Sequence, residues 1–263
     1  MAEPRRHEYD HIGVGYGRKR RPDPRIASVI YDSLGDAHTV VNVGAGAGSY
    51  EPHDRFVLAV EPSITMIRQR PVGSAPAVQA RAERLPFPDD CFDASLAVLT
   101  IHHWADWQAG LLEMRRVSRD RVVVFTWDPE SDRSWLNYYF GHLIEVDRKR
   151  FPPLSALVSL LGDAQITPVN VPEDCVDGFM GAYWRRPEEY LKPDVRAAMS
   201  SFATDQSEIA LARLAQDIRD GTWAQKHGDH LPNAAFDLGY RLISAARRPT
   251  NDCSGRATRA AES

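Results

Sequence analysis

The run "VVNVGAGAGSYEP", residues 40–52, limits this chain more than any other stretch. A β-branched apolar segment over 39–43 reads as a buried strand. It stops at three glycines, Gly44, Gly46 and Gly48, spaced two apart. A strand ending in a bare turn marks the C-terminal edge of a parallel sheet, where such sheets bind ligands. Without Cβ atoms, the turn lets a ligand touch backbone N–H groups directly. A turn of this kind also serves simple chain reversal, so its neighbours must decide.

Those neighbours alternate between strand and helix. Further strands are expected at 56–60, 77–79 (weak), 93–99 and 121–126. Helices are expected at 24–34, with Asp23 as N-cap, Pro24 at the first position and Gly35 as terminator, then at 63–70, capped by Ser63, and at 108–117. This alternation implies a parallel sheet with helices on both faces. After Asp128 the texture changes to aromatic and charged ("SWLNYYFGHLIEVDRKRF"), with helical stretches at 134–149 and 153–162. Strand-like pieces follow at 166–171 and 175–181, then a helix at 207–220 and a last strand at 237–245. The expected fold is a doubly wound α/β sheet with a helical cap after the fifth strand. Its parts are an arm over 1–22, a core over 23–128, the cap over 129–165, remaining strands and helices over 166–246, and a tail over 247–263 that reads as disordered.

Composition excludes some partners. A formal net charge of −4 gives no reason to expect nucleic acid. No apolar run approaches the roughly 18 residues needed to span a bilayer. The start, "MAEPRRHEYD", has no secretory pattern, and Cys91, Cys175 and Cys253 form no metal-type spacing or disulfide framework. A reducing cytoplasm is the expected location. Oligomeric state is not legible.

The glycine turn narrows the ligand. The dinucleotide fingerprint places a third glycine three positions after the second; here that position is Ser49, and Pro52 follows. The turn therefore suits a ligand without a pyrophosphate. Glu61 ends the second strand in "VLAVEPS", where a carboxylate can accept hydrogen bonds from two ribose hydroxyls; the alternative is a surface Glu at a strand end. "ARAERLPFPDDCFDASLAVLTIHHW", residues 80–104, then supplies a turn, a Leu-Pro-Phe wall and two histidines just past the fourth strand.

With "VVNVGAGAG", "VLAVEPS", "AERLPFPDDCFDASLA", "IHHW" and "EMRRV…RVVVFTW" in this order over roughly 9–128, the chain resembles a class I S-adenosylmethionine-dependent methyltransferase of the small-molecule and natural-product group, with a methyltransferase type 11-like domain. The resemblance implies a Rossmann-like, mostly parallel seven-stranded sheet. It also implies S-adenosyl-L-methionine as cofactor and a small-molecule methyl acceptor. On that reading Gly44, Ala45 and Gly46 lie along the methionine part. Glu61 binds the ribose, Pro62 and Met66 flank the adenine, Ala82 and Glu83 edge it, and Leu99 sits under the methionine portion. Tyr16 and Arg20, in "YGRKR", match an arm that closes over the cofactor, with Arg20 pairing its carboxylate. Two departures stand out. Arg81 occupies a position where many relatives carry an acid for the adenine amino group. The segment between the glycine turn and Pro62 is short, so the first cofactor-side helix is expected to be reduced.

Methyl transfer from a sulfonium needs chiefly alignment; a base is required only where the acceptor must lose a proton. His103, toward the substrate, and His102, toward the cofactor, are the candidates, because an unperturbed imidazole near pKa about 6.5 suits proton removal at neutral pH. The alternative for each is a structural hydrogen bond or an exposed ring. Trp135, Tyr138 and Tyr139, with Phe140, are candidates to wall the acceptor pocket, the alternative being that they pack the cap. No metal site is expected from two adjacent histidines alone. Two rivals remain: a cofactor-binding protein without methyl transfer, using the bound molecule structurally or in a cyclisation, and a dinucleotide-dependent oxidoreductase, against which Ser49 argues.

Overall fold

The computed structural model describes residues 20–202, 207–228, 231–232 and 234–246. Tyr16, most of the expected arm, and the tail from residue 247 lie outside the described residues.

Nine strands are described: β1 (Thr39–Val43), β2 (Phe56–Val60), β3 (Ala77–Val78), β4 (Phe92–Val98), β5 (Ser118–Trp127), β6 (Ala164–Pro168), β7 (Val171–Pro172), β8 (Ala235–Phe236) and β9 (Tyr240–Ala246). Seven form one sheet in the order β3-β2-β1-β4-β5-β9-β6, with only β9 antiparallel to its neighbours. The fold class expected from the sequence is therefore present.

The helices are α1 (Pro24–Ser33), α2 (Ile64–Arg68), α3 (Trp107–Val117), α4 (Trp135–Arg150), α5 (Leu154–Leu161), α6 (Pro193–Arg196), α7 (Glu208–Arg219) and α8 (Thr222–Lys226). Three begin where a short polar side chain can satisfy an orphan backbone N–H. Asp23 accepts from Arg25 N at 3.0 Å, Ser63 from Met66 N at 3.3 Å, and Asp106 from Ala109 N at 3.0 Å.

Alternate residues of each central strand enter opposite clusters, because strand side chains point alternately to the two faces. Val123 and Phe125 of β5 pack with Ile26 and Ile30 of α1 and with α4. Val122 and Val124 pack with Leu111 and Met114 of α3 and Leu157 of α5. Both faces of the sheet are thus covered. Among the described residues no helix is long and apolar enough to cross a membrane.

Two expectations need correction. The fifth strand starts at Ser118 rather than 121, because the β4–β5 register shifts between Phe92 and Ala94; such a bulge adds pairing that no residue pattern announces. Residues 175–181 form no strand. Three of their backbone donors go to side chains instead: Val176 N to Asp23 at 3.1 Å, Gly178 N to Asp177 at 2.6 Å and Gly181 N to the Tyr240 hydroxyl at 3.1 Å. With these donors taken the segment pairs with no strand, and Phe179 packs on Tyr240, which faces the last residue of β5 at the C-terminal edge of the sheet. That edge opens between β1 and β4, where strand order reverses.

Candidate active site

The turn after β1 bends back onto β2. Gly44 N and Ala45 N both donate to Val60 O, at 2.8 and 3.0 Å. Gly44 has φ +70°, and a Cβ there would overlap Thr100 Oγ1 and stand 2.9 Å from Thr100 Cγ2. Gly46, at φ +53°, donates its N–H to Glu61 Oε2 at 2.9 Å. Glu61 is 6% exposed and also accepts from Ser63 N at 2.9 Å. One carboxylate thus joins the bare turn to the cap of α2, where Met66 lies buried beside Gly46.

No helix forms between β1 and β2, in line with the short segment seen in the sequence. A buried ion pair supports the turn instead. Arg70 Nη2 meets both oxygens of Glu51 at 2.8 and 2.7 Å, and both side chains are under a tenth exposed. Asn42 of β1 also donates to Glu51, at 3.2 Å, and Arg70 Nη1 reaches Gly46 O at 3.4 Å. Breaking one partner of such a pair strands a buried charge, which is why the pair acts as a brace.

Two of the residues expected at the adenine already have hydrogen-bond partners. Pro62 is half-buried, with its carbonyl accepting from Gln79 at 3.1 Å, and Ala82 is buried. The Glu83 carboxylate is turned to Ala105 N and Asp106 N, at 2.8 and 3.2 Å. It anchors the start of α3, so its side chain is occupied by the fold.

Leu99 follows β4 with φ +48°, a left-handed conformation that costs about 1–2 kcal/mol for a residue with a Cβ. Its N–H is held by Phe125 O at 2.8 Å. Beyond it, Ile101–His103 form a single 3-10 turn. The His102 ring stacks on Phe151 at 3.8 Å and lies 3.8 Å from the His103 ring. Arg150 Nη2 is 3.5 Å from His103 Nδ1.

A cavity of about 420 Å³, including its mouth, opens here. Leu99, His102 and His103 form one wall. Arg133, Asp147 and Phe151 form a second, and Phe179, Met180 and Tyr240 a third. Residues 198–201 and Arg20 complete it. Arg133 and Asp147 are both buried and meet at 3.0 Å; Ser201 Oγ adds a bond to Asp147 at 2.8 Å, and the guanidinium lies 3.7 Å over the Trp127 ring.

Three expectations change at this site. Trp135, Tyr138 and Tyr139 do not line this cavity. Trp135 donates to Trp184 O at 2.7 Å and packs edge-on to Tyr139, Tyr190 and Trp223; Tyr139 donates to Asp217 at 2.7 Å; Tyr138 lies under Arg213. The helical face that carries them is taken by α7 and α8, so they pack the cap. Arg20 lines the cavity, but the carboxylate it grips is that of buried Asp177, at 2.7 Å, which also accepts from Tyr50 at 2.9 Å. The histidines are not ordinary imidazoles. Burial, then Arg150 and Arg20, push His103 down to about 3, and burial, then His103 and Arg150, hold His102 well below 6.5. Both rings are thereby kept in the neutral form near neutral pH. They suit hydrogen bonding better than proton removal.

Sequence reasoning missed Thr100, Arg133, Asp147 and Tyr240. Thr100 adjoined a named residue, but its contact with Gly44 is a packing fact. Arg133 and Asp147 sit 14 positions apart in a charged stretch that reads as solvated, so no local pattern joins them.

A doubly wound sheet whose bare first turn is tied to the acid closing the second strand, beside a cavity past the fourth, fits an S-adenosylmethionine-dependent methyltransferase. The comparisons agree. A family model described as "Methyltransferase domain" matches residues 41–126. A putative methyltransferase from an antibiotic biosynthesis pathway of Anabaena variabilis is 37% identical, with TM-score 0.80, over 86% of this chain and 98% of that one. The demethylmenaquinone methyltransferase of Mycolicibacterium paratuberculosis is 26% identical over 62% of this chain and 70% of its own length. The [4+2]-cyclase SpnF, 15% identical with TM-score 0.50 over 86% of this chain and 81% of its own, shares the fold alone. The chain belongs to the class I S-adenosylmethionine-dependent methyltransferases, and S-adenosylmethionine is its cofactor.

Proposed function

We propose that this enzyme transfers a methyl group to a small organic molecule held in the cavity beyond Leu99. The observation that carries the reading is that the cofactor turn packs on the residue next to the cavity wall. Gly44 abuts Thr100, and the neighbouring Leu99 lines the cavity. In this reading Gly44, Ala45 and Gly46 hold the methionine part. Glu61 grips the ribose, Pro62 and Met66 flank the adenine, and the backbone at Ala82 and Glu83 edges it. When bound, the cofactor supplies a methyl group on a positively charged sulfur. The chain's residues align the acceptor with it and exclude water, which can supply roughly 7–11 kcal/mol. Residues 129–165, with 179–201, act as the cap over the acceptor.

The small organic acceptor is supported by the half-open, partly aromatic cavity and by the names of the relatives, one called a demethylmenaquinone methyltransferase and another assigned to antibiotic biosynthesis. The second of these names supports a role in secondary metabolism as part of the same proposal. Isothermal titration with S-adenosylhomocysteine tests the cofactor site, and absence of heat at millimolar ligand counts against it. Incubation with methyl-labelled cofactor and a metabolite extract tests transfer. A protein that binds the cofactor yet labels nothing would be using it without methyl transfer.

A further inference from the structure

Between β7 and the cavity wall, one carboxylate gathers three parts of the chain. Asp177 is 0% exposed and does not itself line the cavity. Its Oδ1 accepts from Arg20 Nε at 2.7 Å and from the next backbone N–H, that of Gly178, at 2.6 Å. Its Oδ2 accepts from the Tyr50 hydroxyl at 2.9 Å and from Arg20 Nη2 at 3.3 Å. Tyr50 follows the glycine turn, Arg20 precedes α1, and Gly178 leads directly into Phe179 and Met180 of the cavity wall.

The turn reaches this carboxylate through a held conformation. Tyr50 has φ +59°, a left-handed backbone that a residue with a Cβ keeps only where its surroundings fix it. Its ring is buried, and burial, then Asp177, hold the phenol well above its ordinary value, so it keeps the proton it donates. The same oxygen accepts from Asp23 N at 3.3 Å, and Ser49 beside it donates to Arg20 O at 3.4 Å. The segment around Asp177 has other anchors, since Val176 N donates to Asp23 and Gly181 N to Tyr240. An apolar side chain of similar volume would serve stability about as well as a buried carboxylate. What the carboxylate adds is one fixed arrangement of Tyr50, Arg20 and Gly178.

We propose that Asp177 is a positioning residue for methyl transfer: through Tyr50 and Arg20 it locks the cavity wall at 177–181 to the cofactor turn, so that binding at the turn also holds the wall. The inference rests on the turn as the cofactor site and adds a residue that acts through two others. Coupling of this kind is reciprocal, so an acceptor held by the wall tightens the cofactor in turn.

Hydrogen–deuterium exchange of the full chain, followed by mass spectrometry with and without S-adenosylhomocysteine, reads this coupling. In the wild type the ligand is expected to slow exchange at 44–52 and also at 174–182, the latter by about fivefold or more. In Asp177→Asn the side chain offers one oxygen where the carboxylate offered two. Protection at 44–52 should persist, the ligand-dependent slowing at 174–182 should fall below about twofold, and the Kd for S-adenosylhomocysteine should rise about fivefold. Tyr50→Phe keeps the ring, removes the hydroxyl and should give the same pattern, with the double variant no worse than either single one. A role confined to stability would speed exchange at 174–182 equally with and without ligand and leave the ratio as in the wild type. That result overturns the proposal, as does a wild type protected at 44–52 and not at 174–182. If Asp177→Asn fails to fold by circular dichroism, Tyr50→Phe decides by the same ratio. A ligand that protects neither stretch sinks the cofactor-site reading instead.

Discussion

Gly44→Ala is the sharpest test of how the cofactor turn is held. Two costs arise. At φ +70° a Cβ is in the left-handed region, worth about 1–2 kcal/mol. The new carbon also overlaps Thr100 Oγ1 and crowds Cγ2 at 2.9 Å, and overpacking of this kind costs about 1–3 kcal/mol. The sum, about 2–5 kcal/mol, is a large part of the 5–15 kcal/mol that hold a typical domain folded. Thr100→Ala removes both crowding atoms and leaves only its Cβ, 3.0 Å away. In that background Gly44→Ala should cost only the conformational part. A double-mutant cycle read by urea unfolding should therefore show a favourable coupling of about 1–3 kcal/mol. Because Gly44 N and Ala45 N both bond Val60 O beside Glu61, affinity for S-adenosylhomocysteine should fall in the single mutant and recover partly in the double. Additivity within about 0.5 kcal/mol would refute the claim that close approach to Thr100 is why residue 44 has no side chain.

Other perturbations address separate parts. Glu61→Gln keeps one acceptor oxygen and turns an amide donor toward Gly46 N or Ser63 N; calorimetry should show S-adenosylhomocysteine binding weakened by about 1–3 kcal/mol, and unchanged affinity would remove Glu61 from the site. Arg70→Met leaves Glu51 buried and unpaired and should cost about 3–5 kcal/mol in urea unfolding, a loss that Glu51→Gln in the same chain partly restores. His102 and His103 have folded pKa values below their unfolded value, so the unfolded chain binds more protons between the two. Their contribution is whole above about pH 6.5 and is lost as pH falls toward the folded values; His103→Gln should flatten the drop in urea midpoint between about pH 7.5 and 5. Trp135→Ala should lower stability by about 3–5 kcal/mol while S-adenosylhomocysteine affinity at low temperature stays as in the wild type, which separates packing from binding.

What the residues alone determined is local. β1 and β2 fall at the bounds their β-branched runs announce, and Asp23 and Ser63 start helices because a short oxygen can reach a backbone N–H two or three positions on. The bare turn and the acid closing β2 are legible for the same reason: they lie within twenty residues and follow from strand ends and missing Cβ atoms. The tertiary structure decided everything that depends on distant side chains meeting. It set Arg133 against Asp147 and carried Trp135 and Tyr139 away from the cavity onto α7 and α8. It gave Arg20 the carboxylate of Asp177, 157 residues on, and it lowered two histidines by burying them near Arg150 and Arg20. A residue's type states what it can bond or bury; its charge state and partner are set by the desolvation and neighbours that only the folded chain brings together.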